Sequence, residues 1–139
     1  MNTSSIMRGD WLYYKGRWNA FPFKVEGVIE KKIGYYPLPD NKRMYYLDQE
    51  ECYPIPLTEE ILERNGFKYN KDETEGTIQQ VYKHYTKFFD FPLGIGFYIE
   101  HDTIDNIFWI TDPTWIKFQY VHELQHILKM CGINKEIIL

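Results

Sequence analysis

The chain has little cysteine, no long apolar run and no surplus of positive charge, and each shortage closes off a class of protein. Its two cysteines, Cys52 and Cys131, lie far apart. They make neither a disulfide framework nor a Cys-x-x-Cys site, so reduced thiols and a cytoplasmic location are expected. The opening residues, MNTSSIMRGDW, lack the apolar segment of a signal peptide. The longest near-apolar run, LGIGFYI, is too short to span a bilayer, so no membrane partner is expected. Net charge is −4, unevenly spread. Residues 1–50 carry 8 Lys/Arg against 6 Asp/Glu, and the remainder 8 against 14. Neither half has the basic balance of a nucleic-acid binder. Internal repeats and low-complexity tracts are missing too.

Aromatic residues are what the chain has in quantity, with 12 Tyr and 9 Phe. Such a composition favours β-structure and aromatic-rich surfaces. Apolar residues reach 44%, too many for a disordered chain. At 139 residues there is room for one compact domain or two small lobes. A chain of this size buries about two-thirds of its unfolded surface, which is enough to fold without staples.

Residues 1–56 read as short strands. WLYY follows a Gly9-Asp10 turn signal. FKVEGVIEKKI alternates, placing Phe23, Val25, Ile29 and Ile33 on one face and Lys24, Glu26, Glu30 and Lys32 on the other. YYPLPDNKRMYYL holds a turn between two aromatic pieces, and CYPI closes the set with Pro54 at an edge. This spacing fits a small SH3-like β-barrel lobe. Residues 57–139 read as an α+β lobe packed on it, or as its continuation. PLTEEILERNGF is a short helix with Thr58 as N-cap, Leu57 and Leu62 as a staple, and Gly66 as the stop. NKDETEG is an acidic loop. TIQQVYKHYTKFF suits either strand or helix, its Tyr, Thr, Val and Ile content favouring strand. GFYIEHD and NIFWIT form a hairpin around Asp105-Asn106. A closing amphipathic helix begins with Asp112 as cap and Pro113 in the first turn, unless TWIKF is a strand, and stops at Gly132.

One stretch looks like chemistry. In VHELQH, His122, Glu123 and His126 match H-E-x-x-H, in which two imidazoles one helical turn apart bind zinc and the glutamate acts as general base. On a helical wheel both histidines fall opposite the apolar stripe of Ile116, Tyr120, Val121, Leu124, Ile127, Leu128 and Cys131. Lys129 falls beside them, an ammonium that repels a divalent cation. A catalytic zinc takes three protein ligands. The metzincin continuation needs Gly and His where this chain has Lys129 and Gly132. Glu136 is the one carboxylate downstream of the second histidine. Peptide deformylases take an upstream cysteine, yet their Gly-rich segment precedes the Cys segment, whereas here EECYPIPL precedes LGIGFYIE. No metal and no cofactor is therefore expected. His84 and His101 read as satisfied or surface strand residues, Cys131 as a small core residue, and Gly94–Gly96 as a strand kink.

The order RGDWLYY, PLTEEILERNGF and YVHELQHILKMCGI resembles an uncharacterised family of short proteins from gut-type anaerobic bacteria and their phages and mobile elements. In that family the closing motif reads His-Gln-Leu-Gln-Asn, so of the three candidate site residues only His122 matches it, and Glu123 and His126 depart. The resemblance implies no activity. Together these observations lead to an expectation of a non-catalytic accessory or interaction protein, phage-derived, with a protein partner. Two alternatives stand beside it. One is a minimal zinc hydrolase built on His122, Glu123 and His126. The other is a single-strand nucleic-acid module using Lys31, Lys32, Lys42 and Arg43 with Tyr35, Tyr36, Tyr45 and Tyr46.

Overall fold

The structure, a computed structural model, describes residues 6–40, 42–70, 82–89, 95–112 and 115–139. It is an α+β fold dominated by antiparallel sheet, with a short helix mid-chain and a second helix near the C-terminus. Its contacts divide the chain into two compact units. Met1–Pro56 with Tyr120–His122 forms one, and Leu57–Gln119 with Glu123–Leu139 the other. Among the described residues no helix is long and apolar enough to cross a membrane.

The first unit is built on a strand run that changes sheets. β1 (Trp11–Lys15) lies between β2 (Ala20–Lys24) and β6 (Cys52–Pro54). A second sheet has the order β3 (Gly27–Ile29), β4 (Lys32–Tyr35), β5 (Tyr45–Asp48). A 3₁₀ turn, Gln49–Glu51, leads into β6. Only Val25 and Glu26 separate β2 from β3, and they carry the chain across. Val25 N donates to Asp10 O in the first sheet (2.9 Å), and Glu26 N donates to Gly34 O in the second (2.8 Å). Leu12, Phe23, Val25, Ile33 and Cys52 from both sheets share one buried core, with Tyr14, Phe21, Val28, Tyr35 and Leu47 packed around it.

This crossing corrects one expectation. Strict alternation puts Ile29 on the core face, yet Ile29 is 58% exposed. Val28 pairs with Ile33 across the β3–β4 ladder and packs on the core instead. Side-chain parity resets where the strand leaves one sheet for the other, because the period of two holds only within a continuous ladder. Of the expected SH3-like barrel the structure shows the antiparallel sheets alone. Two three-stranded antiparallel sheets enclose one core, and no closed barrel is formed among the described residues.

The RGDW segment fastens the start of this unit. Gly9 adopts φ 94°, a left-handed conformation that costs an L side chain about 1–2 kcal/mol. Its N–H donates to Val25 O (2.7 Å). Asp10 is buried, and its carboxylate accepts from Met7 N (2.8 Å). Arg8 pairs with Glu26 (2.9 Å).

The second unit has a five-stranded antiparallel sheet in the order β11-β10-β9-β8-β7. These strands are β7 (Lys68–Tyr69), β8 (Tyr82–Phe89), β9 (Ile95–Asp102), β10 (Ile107–Asp112) and β11 (Ile116–Phe118). β8 settles residues 82–89 as strand, while 77–81 lie outside the described residues, as does most of the expected acidic loop. The β9–β10 hairpin turns through Thr103–Asn106, with Asn106 at φ 51°. That conformation is one asparagine tolerates better than most residues. Helix α1 (Glu59–Arg64) keeps its expected caps. Thr58 Oγ1 accepts from Ile61 N (3.2 Å), and Gly66 stands at φ 85°.

Helix α2 (Val121–Met130) starts eight residues later than the Asp112–Pro113 signal suggests. Ile116–Phe118 is the strand β11, paired with β10 through Phe108↔Phe118 and Ile110↔Ile116. Within TWIKF the strand alternative therefore holds for Ile116–Phe118, and a sheet edge overrides a nearby helix-start signal. Pro113 itself lies outside the described residues. The Gly132 stop is as expected, at φ 76°.

Both helices end alike. Gly66 N donates to Glu63 O (3.0 Å) and Phe67 N to Leu62 O (3.0 Å). Gly132 N donates to Lys129 O (3.0 Å) and Ile133 N to Leu128 O (2.9 Å). This is the Schellman arrangement, with the residue after glycine bonded back to a buried leucine in the last turns of the helix. Phe67, Leu62, Ile133 and Leu128 are all buried. Replacing Gly66 or Gly132 with Ala should therefore destabilise the protein by about 1 kcal/mol each, from backbone conformation alone. Urea denaturation with an unchanged m-value would show it; a neutral change at both positions would refute the arrangement.

Candidate functional site

The H-E-x-x-H residues all lie on α2, but they do not share one environment. His122 belongs to the first unit and Glu123 and His126 to the second. His122 is buried, contrary to its expected place opposite the apolar stripe, and its ring stacks near Tyr120 (6.0 Å between centroids, 14° between planes). The late helix start explains the change. Val121 N donates to Ile55 O (2.9 Å) and Tyr120 bridges to Pro56, so the chain on either side of Tyr120–Val121 is tied to the segment that follows β6. Glu123 Oε1 accepts from Gln119 N (3.2 Å), the residue just before the helix cap. The carboxylate that a zinc peptidase uses as general base here serves the helix start. His126 is half-buried and Lys129 exposed. Among the described residues no three His, Cys, Asp or Glu side chains converge to hold a metal ion. Val121, Leu124, Ile127 and Leu128 are buried as the stripe requires, while Cys131 is half-buried rather than core.

The basic and aromatic residues of the first unit are distributed rather than pooled. Lys32 pairs with Asp48 across the β4–β5 ladder. The Arg43 guanidinium lies over the Tyr45 ring (5.6 Å), at the opposite end of that ladder, where Tyr35 pairs with Tyr45. Tyr35 turns inward against Phe21 and Phe23, at 5.7 and 5.4 Å. Lys31, Lys42 and Tyr46 are exposed.

Tyr36 instead joins a groove of about 690 Å³. Trp11, Phe21 and Tyr35 supply its aromatic surface, and Tyr36, Pro37 and Leu38 one wall. Lys24 and Glu26 also line it. Lys24 lies over the Trp11 ring (5.5 Å), and Glu26 is the partner of Arg8. Tyr36 and Leu38 are exposed at the rim. The groove exists because β2 carries Phe21 and Phe23 toward Tyr35 of β4, and the YPLPD segment continues beyond that strand.

The second unit holds a polar centre that sequence reading did not identify. Glu59, in the first turn of α1, receives His101 Nδ1 on Oε1 (2.9 Å) and Lys83 Nζ on Oε2 (3.0 Å). The Tyr85 hydroxyl also donates to this carboxylate. His101 is 5% exposed and stacks flat on Phe108 (4.0 Å between centroids, 3° between planes). Its Nε2 meets Asn106 Oδ1 (2.9 Å). Burial alone raises the Glu59 carboxyl above its ordinary range, but the hydrogen bonds and charges of Lys83 and His101 outweigh it and leave the group lowered. Tyr85 is pushed up, by burial first and then by the Glu59 charge. His84 sits on the other face of β8, half-buried opposite Glu100. Residues 59 and 101 are too far apart in sequence for any local pattern to pair them. The visible signal was a lone histidine on the apolar face of an amphipathic strand, which demands a buried partner.

No family model, curated protein or solved structure matches the chain.

Two outcomes follow from these environments. Leu124, buried in the stripe, should cost about 2–5 kcal/mol as Leu124→Ala. Glu123→Gln keeps an acceptor oxygen for Gln119 N and should stay within about 0.5 kcal/mol, while Glu123→Ala loses it and should cost about 1 kcal/mol. Chemical denaturation of the three variants tests that ordering. The second outcome concerns pH. A carboxyl lowered on folding contributes stability above its ordinary value of 4.5, and that stability fades as pH falls through the folded value. Stability should therefore fall from pH 5 toward pH 3, and Glu59→Gln should flatten that limb. A wild-type limb no steeper than the variant's would count against the network.

Proposed function

We propose that the chain is a non-catalytic interaction protein whose first unit is an SH3-like small barrel that receives an extended, proline-bearing peptide. The observation that carries this reading is the aromatic groove. Flat rings beside exposed proline and leucine suit a polyproline-II segment, which is preformed and loses little entropy on docking. The strand order supports the barrel reading. One run crosses between two three-stranded sheets at Val25–Glu26, and a 3₁₀ turn precedes the last strand, as in SH3-like folds. The placement of Glu123 at the helix start favours a packing role for α2 over a hydrolytic one. The separation of Lys32 and Arg43 to opposite ends of the β4–β5 ladder counts against one continuous basic track for a phosphate backbone along that ladder.

The test is titration of ¹⁵N-labelled protein with dodecapeptides carrying Pro-x-x-Pro, followed by NMR. Saturable shifts at the Trp11 indole, Phe21, Tyr36 and Leu38 are expected. Tyr36 is exposed at the rim, so Tyr36→Ala should keep the fold and weaken binding about tenfold or more. Shifts that do not saturate, or that survive Tyr36→Ala unchanged, would refute the groove. Oligonucleotide binding that collapses with salt would replace it by the nucleic-acid reading.

A further inference from the structure

We propose that His101 and Asn106 form a proton-operated latch on the β9–β10 turn. The inference rests on the second unit alone and is independent of the peptide groove. Each ring nitrogen of His101 faces an oxygen, Glu59 Oε1 at Nδ1 and Asn106 Oδ1 at Nε2, both at 2.9 Å. Two acceptors need two N–H donors, and only the imidazolium ring has two. The ring has little freedom to move, because it is 5% exposed and lies flat on Phe108.

The groups around it decide which proton leaves. From α1 comes the Glu59 carboxylate, with Glu63 further along the helix. From β8 come Lys83 and Tyr85, both bound to Glu59. Tyr69 of β7 acts on Lys83 and Tyr85, and β10 presents the Phe108 ring. The Nδ1–H bond to a carboxylate is charge-assisted and is the stronger of the two. Deprotonation therefore takes the Nε2 proton into solvent and leaves a lone pair facing Asn106 Oδ1. Two acceptors in contact repel. Asn106 then turns its amide over, so that Nδ2–H donates to Nε2.

That rotation changes what the turn shows. Asn106 is exposed and held at φ 51°, while Asp102 Oδ1 fixes the rest of the turn by accepting from Ile104 N (2.9 Å) and Asp105 N (3.2 Å). The backbone is already committed, so the amide is the part that moves. With His101 protonated, the outward group of Asn106 is a pair of N–H donors. With His101 neutral, it is a carbonyl acceptor. Loss of one buried proton thus exchanges a donor for an acceptor at the tip of the hairpin.

NMR of the full chain between pH 4 and 9.5 tests this. The Asn106 side-chain NH₂ resonances should move with the same midpoint as the His101 ring Cε1–H. In Asn106→Asp a carboxylate replaces the amide, and the His101 transition should move up by about one pH unit or more. In Asn106→Gly, which suits the positive φ, both states of the ring lose their partner at Nε2, and the transition should move down because the charge-assisted bond lost from the imidazolium is the stronger of the two. That variant keeps the turn and so separates loss of the latch from loss of structure. Asn106 resonances that stay flat through the His101 transition would overturn the latch. So would a His101 ring that does not titrate in this range, or a transition unmoved in both variants.

Discussion

The second unit depends on a single carboxylate. α1 has six residues, and a helix of that length is marginal in water without tertiary support. Its side of the bargain is Glu59, to which β8 sends Lys83 and Tyr85 and β9 sends His101. A half-buried carboxylate with one donor would be a liability, since removing it from water is expensive. With three donors its oxygens are satisfied, and two strands and a helix are fixed to one another at one point. At the other end of α1, Asn65 takes over. Its side chain donates to Ile61 O and to Ile138 O and accepts from Ile138 N, each at 2.7 Å. The amide copies the hydrogen-bonding pattern of a neighbouring strand, and Ile133 and Ile137 are buried on the way there. The C-terminal segment is thereby held against the helix that Glu59 anchors.

In the first unit the comparable constraint is backbone rather than charge. Two sheets must share one core although a single run of chain supplies a strand to each. Val25 and Glu26 make the transfer, and both of their N–H groups are taken up, one by Asp10 O and one by Gly34 O. A buried N–H without an acceptor would cost as much as a lost hydrogen bond. The Gly9 and Asp10 turn, at the position of the RGDW segment, exists to present that acceptor. The same crossing brings Phe21 and Phe23 beside Tyr35, so the groove is a by-product of how the sheets are joined.

What could be read from sequence divides along the distance over which each feature is encoded. Thr58, Gly66 and Gly132 were legible because a cap or a stop is decided within five or six residues. The β9–β10 hairpin and β8 were legible from local alternation and composition. Ile29 was misplaced because alternation carries no mark of the sheet crossing. The start of α2 was misplaced because the β10 partner of Ile116–Phe118 outweighs the local helix signal at Asp112–Pro113. His101 was seen as a strand histidine, and its partners, Glu59 and Asn106, come from another element and from a turn. No periodicity links residues 42 positions apart.

The H-E-x-x-H residues show why a short motif is weak where a long-range one is strong. Spacing on a helix guarantees that the two histidines lie one turn apart; it says nothing about what else faces them. A metal centre is defined by convergence from several elements, of the kind seen around the Glu59 carboxylate. On α2 the first three residues of the motif already have local duties. His122 is buried beside Tyr120 where the helix begins, Glu123 takes up the Gln119 N–H, and Leu124 belongs to the apolar stripe. The two histidines even belong to different units of the chain. Here the demands of starting and burying a helix are sufficient to account for the placement of His122, Glu123 and Leu124.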